Sequence, residues 1–370
     1  MGVQLVCIST ISNYYLGGLK VNMKKIIIIL IGIALIAFGI GFLALNYGGN
    51  LKISIDTNEK NSGNKFFGKN IVEENIDEEK VETANGIENI NIETPFVDVN
   101  IISENRDNVR IHYNGSIQSN YIPELKTNIK SNTLYISASK KGLNSYNVYK
   151  TDLKLDIYIP TDFKDNIEIS TSSGDINLSN LNLYKLNVVA SSGDVKLSNL
   201  YANSLSIKTT SGEQWGENLE IEQSKFLASS GDIQVYDLIT QSLFVETSSG
   251  EQEFKRLESE KSTFLASSGD IEIYGYTGDV DITTSSGNIK LNNHVFNNNI
   301  TITASSGDVD IILPKDAEFN IKASTTSGDI ESSFPVIVTG KLKNSLNGKV
   351  GNSNNTINIK TSSGDISIEK

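Results

Sequence analysis

The sequence predicts an all-β protein, a β-solenoid with coils of ~19 residues, preceded by one transmembrane helix. Three observations predict it. A Ser-Gly pair recurs at a nearly fixed spacing, apolar residues alternate on both sides of each pair, and one long uncharged apolar run lies near the N-terminus. Self-similarity at a short fixed period is typical of solenoids, and alternation with period two is typical of half-buried strands.

The apolar run covers residues 26–45 and contains no charged residue. A helix rises ~1.5 Å per residue, so a run of ~20 residues matches the ~30 Å hydrocarbon core of a bilayer. Lys24 and Lys25 precede it and the next basic residue is Lys52, which places the N-terminus in the cytoplasm by the positive-inside rule.

We therefore predict a cytoplasmic tail over 1–23, a signal anchor over 24–47 and an extracytoplasmic remainder, in a single-pass protein of the cell membrane. A cleaved signal peptide is the alternative, although its apolar core is usually shorter. Met23 followed by two lysines resembles a natural start, so that residues 1–22 would lie upstream of it.

The part beyond the anchor is acidic. It contains all 44 acids and 29 of the 32 basic residues, and 44 − 29 gives a net charge of about −15. Such a charge disfavours nucleic acid and anionic lipid surfaces as partners. Residues 48–84 are polar and acidic, which predicts a mostly disordered stalk or linker; a helix over 71–83 is the alternative.

The repeat consists of Ser-Gly pairs. The glycines from Gly174 to Gly269 are evenly spaced, the next gaps differ slightly, and the last gap is about twice as long. We interpret the last gap as two periods, with a degraded copy near 345–351. The predicted structural corners are Ser173, Gly174, Asp175, Ser192, Gly193, Asp194, Ser211, Gly212, Ser230, Gly231, Asp232, Ser249, Gly250, Ser268, Gly269, Asp270, Ser286, Gly287, Ser306, Gly307, Asp308, Ser327, Gly328, Asp329, Ser363, Gly364 and Asp365.

The alternation continues through each corner. Leu186, Val188 and Ala190 are predicted to point inward, and the same parity predicts an inward Ser192. Gly193 would form the bend, where a positive φ is common, and the acid after it would point outward and bond nearby N–H groups.

The residue two before each Ser-Gly pair alternates between two types, which indicates a duplicated unit of two coils. One class is Ala190, Ala228, Ala266 and Ala304, and the other is Thr171, Thr209, Thr247 and Thr284.

An antiparallel meander with the same residues as hairpin turns is the alternative architecture. Two-residue hairpins favour Asn-Gly or Asp-Gly, whereas this glycine precedes the acid, so the solenoid is favoured. We predict N-terminal capping β coils over 85–170 and the repeat solenoid over 171–370. The last coil would end the stack, and Glu369 and Lys370 would discourage pairing at its edge.

At these residues the chain resembles the putative-adhesin family of bacterial β-strand-repeat (SSGD-repeat) proteins of unknown function. The matching stretches are "LDIYIPTDFKDNIEISTSSGDINL", the serial "SSGDI" units and "ILPKDAEFNIKASTTSGDI". The layout is similar to the membrane-anchored member of the Lia envelope-stress operon. The resemblance implies a β-solenoid at the cell surface and carries over no catalytic residue.

The residues favour no catalytic, cofactor-binding or metal site. Cys7 is the single cysteine and His112 and His294 are the two histidines, so thiol metal sites and histidine-based triads are disfavoured. A calcium ladder of the acids after each glycine is the alternative to solvated turn acids, and its spacing differs from the familiar calcium repeat.

We therefore predict a non-enzymatic, adhesin-like binding or scaffold module whose partner is a cell-wall polymer or another envelope protein. An accessory role in a cell-envelope stress response, acting on a membrane signalling partner through the anchor helix, is the first alternative. A carbohydrate-active β-helix enzyme is the second, although its carboxylates would break the repeat. Five aromatic residues could stack sugars, but they do not hold one repeat position, so a partly exposed packing role is favoured for Trp215, Tyr236, Phe254, Tyr274 and Tyr276.

Overall fold

The computed structural model describes residues 15–16, 19–20, 71–139, 148–293, 295–342 and 344–370. The predicted anchor over 24–47 and most of the predicted stalk lie outside these residues. The chain divides into two compact units, Met1–Phe67 and Gly68–Lys370. In the first unit, β1 (Tyr15–Leu16) pairs antiparallel with β2 (Leu19–Lys20).

Every regular element of the described residues is a strand, so the all-β prediction is confirmed. The second unit forms one sheet of 23 strands. They are β3 (Val72–Thr83), β4 (Asn89–Thr94), β5 (Asp98–Glu104), β6 (Asn108–Ser119), β7 (Leu125–Lys130), β8 (Thr133–Ala138), β9 (Val148–Pro160), β10 (Asn166–Thr171), β11 (Ile176–Ala190), β12 (Val195–Thr209), β13 (Gln214–Ala228), β14 (Ile233–Thr247), β15 (Gln252–Ser268), β16 (Ile271–Ser286), β17 (Ile289–Asn292), β18 (Ile300–Ser306), β19 (Val309–Ile312), β20 (Phe319–Ser324), β21 (Ile330–Ser332), β22 (Ile337–Leu342), β23 (Ser345–Val350), β24 (Thr356–Lys360) and β25 (Ile366–Glu369).

The strands β11 to β16 are successive coils that stack in parallel, as the solenoid prediction expects. In β12 the pairing falls into three segments, 195–198, 200–202 and 204–209, and each residue pairs with the equivalent residue of the next coil, as Val195 does with Gln214. Stacked over successive coils, these segments form three faces, here named ladder 1, ladder 2 and ladder 3 in that order. Successive coils are therefore ~4.8 Å apart.

The interior of the stack is apolar because inward and outward side chains alternate along each segment. Leu186, Val188 and Ala190 are buried, as predicted. Each fully buried large aliphatic side chain contributes about 1.5–3 kcal/mol. In the middle of the stack the ring of Phe254 meets those of Phe226 and Phe264 edge to face, with centroids 6.1 and 5.1 Å apart.

The Ser-Gly corners form one column between ladder 3 and ladder 1, but the prediction that their serine points inward is wrong. Ser192 is exposed and Gly193 is buried. The alternation breaks here because two consecutive serines point outward, and the glycine takes the inward place. The same exposure holds for every serine of the column, Ser173, Ser192, Ser211, Ser230, Ser249, Ser268, Ser286, Ser306, Ser327 and Ser363.

The corner glycines are required by a close approach of two backbones. A Cβ built on Gly231 would lie 2.0 Å from the carbonyl oxygen of Gly212, one coil earlier. For all ten corner glycines this distance to the backbone of the neighbouring coil is 1.9–2.3 Å. The expected positive φ is found only from Gly269 onward. From Gly174 to Gly250, a side chain is therefore excluded by the lack of space beside the neighbouring coil and not by the backbone conformation.

The acids of the column connect one coil to the next. The carboxylate of Asp175 accepts a hydrogen bond from the backbone N–H of Asp194 (2.9 Å), and Asp194 accepts one from Glu213 (2.9 Å). Asn288 continues the pattern by accepting from Asp308 (3.0 Å). The shorter aspartate and asparagine side chains make these bonds. Among the described residues, the carboxylates of Glu213 and Glu251 make none of them.

Two residues of the threonine class, Thr209 and Thr247, have a buried glutamine as partner. Gln214 and Gln252 are buried, two coils apart, where neighbouring coils carry isoleucine or valine. The Gln214 amide donates to the hydroxyl of Thr209 (2.9 Å), and the Gln252 amide donates to Thr247 (2.8 Å). The hydroxyl of Thr247 in turn donates to the carbonyl of Gly250 (2.9 Å). This network gives the two-coil unit a physical basis at Thr209 and Thr247.

At both ends the order of coils in the stack differs from their order in the chain. The coil of β4 and β5 lies between the coil of β8 and β9 and the coil of β10 and β11. At the other end the coil of β24 and β25 lies between those of β18–β19 and β20–β21.

The last coil therefore does not end the stack, and the expectation of an edge at Glu369 and Lys370 is wrong. The predicted degraded copy at 345–351 is also wrong, because β23 pairs antiparallel with both β20 and β22. The long gap between Gly328 and Gly364 contains this antiparallel pair, which carries the chain outward and back.

The predicted stalk is in part a strand. Residues 72–83 form β3, which pairs antiparallel with β6 along its whole length, so neither disorder nor a helix describes this segment. Its acids face bases of β6, with Asp77 2.8 Å from the His112 ring and Glu79 3.4 Å from Arg110. The charges along this edge strand oppose pairing with another chain.

We predict that Gly231→Ala destabilises the fold by about 1–3 kcal/mol, because the new Cβ would force two coil backbones apart. Urea denaturation of the full chain measures the change. Gly340→Ala is the matched control: a Cβ there meets nothing within 4 Å, so we expect a change of at most about 0.5 kcal/mol. Equal effects of both variants would contradict the close-approach argument.

We predict that Asp194→Ala lowers the free energy of unfolding by about 0.5–1.5 kcal/mol, because the N–H of Glu213 loses its acceptor. Asp194→Asn retains an acceptor oxygen and should be nearly neutral, as should Glu213→Ala. The same denaturation experiment applies. A loss in Asp194→Asn as large as that in Asp194→Ala would show that charge, and not the hydrogen bond, matters.

Candidate binding surface

A second column of corners separates ladder 1 from ladder 2, and the sequence analysis missed it. Five non-glycine residues adopt a left-handed backbone here, one in each coil, with φ from +52° to +56°. Asparagine and aspartate tolerate this conformation better than most residues. The recurring signal is in the sequence, as "SNL", "SNL" and "ENL". The column consists of Asn180, Asn199, Asn218, Asp237 and Arg256, followed by Gly275 at φ +63°.

The side chains of this column bond along the stack. The amide of Asn199 donates to Asn180 (3.1 Å) and that of Asn218 to Asn199 (3.1 Å). Further along, the Arg256 guanidinium donates to both carboxylate oxygens of Asp237. This hydrogen bonding and charge hold the pKa of Asp237 below its usual value. These bonds join three successive coils and then two further coils at the start of ladder 2.

A groove lies beside this column on the outer side of ladder 2. Its volume is about 500 Å³, and Asp237 and Arg256 line one side. Three large apolar side chains in its lining are more than half exposed: Tyr201 (53 %), Ile239 (51 %) and Val295 (59 %). A second hollow of about 720 Å³ continues the groove over the same coils and shares Tyr201 and Ile239. We call these two hollows together the ladder 2 groove.

The outward residues of ladder 2 form one row across the coils. Tyr201 pairs with Glu220, Glu220 with Ile239, Ile239 with Glu258 and Glu258 with Thr277. Apolar and acidic side chains thus alternate from coil to coil. Exposed apolar side chains gathered in one concave site are typical of interaction surfaces.

The five aromatic residues considered for sugar stacking do not form one surface. Phe254 and Tyr276 are buried, which agrees with packing. Trp215, Tyr236 and Tyr274 are half-buried on the outer side of ladder 1. The three half-buried rings therefore match the partly exposed packing role that the sequence predicts, and the other two rings are fully buried.

Two of the half-buried rings, Trp215 and Tyr236, lie close together, and lysine ammonium groups lie over Tyr236 and Tyr274. The Trp215 and Tyr236 rings are 6.4 Å apart. The Lys255 ammonium lies 5.1 Å from the Tyr236 centroid and 5.9 Å from that of Tyr274, and 2.6 Å from a Glu253 oxygen. Lysine thus partly covers the ring faces that a sugar would stack on.

The described residues contain neither a group of three or more His, Cys, Asp or Glu placed to hold a metal ion nor a helix long and apolar enough to cross a membrane. The serines of the Ser-Gly column are far from the groove row in each coil, since ladder 1 lies between them and the second corner column. The predicted corner residues therefore build the scaffold, and the groove lies elsewhere.

The repeat part of the chain matches a known family. A family model described as Toastrack DUF4097 matches residues 87–225 and again 213–369. No curated protein matches the chain.

Three solved structures are similar at low identity. A "putative cell adhesion protein" from Clostridium sporogenes is 19 % identical, with a TM-score of 0.29, over 80 % of this chain and 99 % of that one. A "putative adhesin" from Bacteroides fragilis is 13 % identical, with a TM-score of 0.29, over 81 % and 100 %. A "putative lipid binding protein" from Parabacteroides distasonis is 17 % identical, with a TM-score of 0.31, over 81 % and 97 %. TM-scores this low carry no argument about function.

We predict that Glu272→Gln lowers the pKa of Tyr274. The Tyr274 hydroxyl donates to the Glu272 carboxylate (2.7 Å), and this bond, with burial and the nearby charge, raises the pKa of Tyr274 to about 12. Ultraviolet titration of the phenolate band should show one tyrosine moving toward its ordinary pKa in the variant, and Tyr274→Phe identifies that component. An unchanged titration curve would contradict this interaction.

Proposed function

The chain belongs to the Toastrack DUF4097 family, and we propose that this member is a non-enzymatic, adhesin-like binding module of the cell envelope. The ladder 2 groove is its contact surface. The observation that carries the proposal is the exposure of Tyr201, Ile239 and Val295 together in one groove. Scattered exposed apolar residues are normal on protein surfaces, whereas a cluster in a concavity marks a place where a partner excludes water.

The scaffold supports this role because the contacts that hold the coils together at the Ser-Gly column do not involve the residues of the groove row. The glycine contacts and the aspartate hydrogen bonds lie at one corner column, and the groove row lies on the face beyond the other. The residue types at the outward positions of ladder 2 can therefore vary to suit a partner without weakening the contacts between coils at the Ser-Gly column. A rigid element that presents such side chains binds with little loss of conformational freedom.

Location and partner are part of the proposal. Residues 24–47 would anchor the protein in the cell membrane with the coils outside, where a cell-wall polymer or another envelope protein could reach the groove. We propose that the protein catalyses no reaction, because the acids of the corner column repeat with the coils, and Asp175 and Asp194 among them accept hydrogen bonds from backbone N–H groups. A glycosidase would need one local pair of carboxylates instead.

We predict that the full chain co-sediments with purified cell-wall sacculi or with envelope vesicles, and that the double variant Tyr201→Ser/Ile239→Asp loses most of this binding. The variant removes apolar contact area from the groove. The matched control is Tyr135→Ser/Tyr149→Ser, because these tyrosines are similarly exposed and lie outside the groove.

Three results would contradict the proposal. They are absence of sedimentation with either fraction, an equal loss in the control variant, and release of soluble glycan fragments from the sacculi by the full chain. The last result would indicate an enzyme.

A further inference from the structure

The ladder 2 groove combines apolar exposure with acids that have no partner among the described residues. Glu220 and Glu258 flank Ile239 in the row, and Glu222 and Glu260 line the second hollow. All four glutamates are exposed, and their carboxylates form no ion pair or hydrogen bond with other described residues. Within the described lining of the groove, the one basic residue is Arg256, which is paired with Asp237. The row therefore alternates exposed apolar and acidic side chains, and two further acids, Glu222 and Glu260, lie in the hollow that continues it.

The negative charge of the ladder 2 groove favours some binding partners over others. An anionic wall polymer or lipid headgroup would meet four unpaired carboxylates. A second copy of this chain, packed groove to groove, would bring the same acids against each other. A basic partner with apolar side chains would complement both features at once.

The spacing of the row fits a helix. Glu220 and Glu258 are two coils apart, about 9.6 Å, with Ile239 between them. On an α-helix, residues i and i+7 lie on one side about 10.5 Å apart, with residues i+3 and i+4 between them. From Tyr201 to Thr277 the row covers four coil spacings, about 19 Å, which is the length of about 13 helical residues.

We propose that the ladder 2 groove binds a basic amphipathic helix of a partner protein, whose lysine or arginine residues meet Glu220 and Glu258 and whose apolar side chains contact Tyr201 and Ile239. This inference rests on the proposed function and names the partner class for the same site. The mode of binding is helix in groove, with charge on the rim setting specificity.

The test uses the full chain and a labelled peptide of leucine and lysine with a helical period, about 14 residues long to cover the row, followed by fluorescence anisotropy. Two further peptides are compared: one of the same composition in scrambled order, and one with glutamate in place of lysine. We expect the helical basic peptide to bind more tightly than both, and its affinity to fall as salt is raised.

The protein variant Glu220→Gln/Glu258→Gln should weaken this binding about threefold or more. Its matched control is Glu246→Gln/Glu251→Gln, which makes the same change in net charge at exposed positions outside the groove and should change binding less than about twofold. Circular dichroism confirms that each variant folds. Equal effects of the two double variants, equal binding of the scrambled peptide, or no binding of the basic peptide would each overturn the inference.

Failure of the inference and failure of the proposed function give different results. If Tyr201→Ser/Ile239→Asp abolishes envelope binding while Glu220→Gln/Glu258→Gln leaves it intact, the binding module stands and the basic helical partner is wrong. If the unmodified chain binds no envelope fraction, the proposed function is wrong, whatever the peptide result.

Discussion

The stack depends on one contact, the approach of each corner glycine to the backbone of the neighbouring coil. At this corner a Cβ would lie 1.9–2.3 Å from a carbonyl oxygen, so no other residue type fits without moving a whole coil. Ladder 1 and ladder 3 meet at this column, and their hydrogen bonds hold only at the spacing that the glycines allow. The aspartate bonds beside the glycines act in the same direction. One column thus sets the register of two faces.

The repeat made the main architecture predictable. The places where the structure departs from the repeat could not be predicted from it. The spacing of the glycines and the alternation before each pair correctly predicted parallel coils with Leu186 and Val188 inside. The inward–outward alternation gave the wrong direction for the Ser192 side chain, because two successive residues of the corner, Ser191 and Ser192, both point outward. The acidic composition of 72–83 predicts disorder, whereas the segment forms a strand whose acids lie beside Arg110 and His112 of β6, a later and separate strand of the chain. A sequence pattern within one segment does not contain that partner.

The candidate surface was harder to predict than the scaffold for a related reason. Scaffold residues recur once in every coil, so the repeat makes them visible. Tyr201, Glu220, Ile239 and Glu258 occupy one structural position yet differ in type, and only the coil register brings them into a row. Asparagine holds the second corner in three coils only, before Asp237, Arg256 and Gly275 take that place, so its repeat is much shorter than that of the glycines. The left-handed conformation was also expected at the Ser-Gly pairs and not at this corner.

The displaced coil near the C-terminus has a consequence for synthesis. Ile321 and Ile357 occupy equivalent places in ladder 3, and both are in register with Ile300. A chain that emerges from its N-terminus presents residues 320–332 first, so this earlier segment can dock beside β18 and β19 before the proper occupant exists. If it docks there, β24 and β25 displace it when they take their place between the two layers. The order of layers at this end of the stack therefore depends on residues 356–369, which follow in the chain both of the layers that they separate.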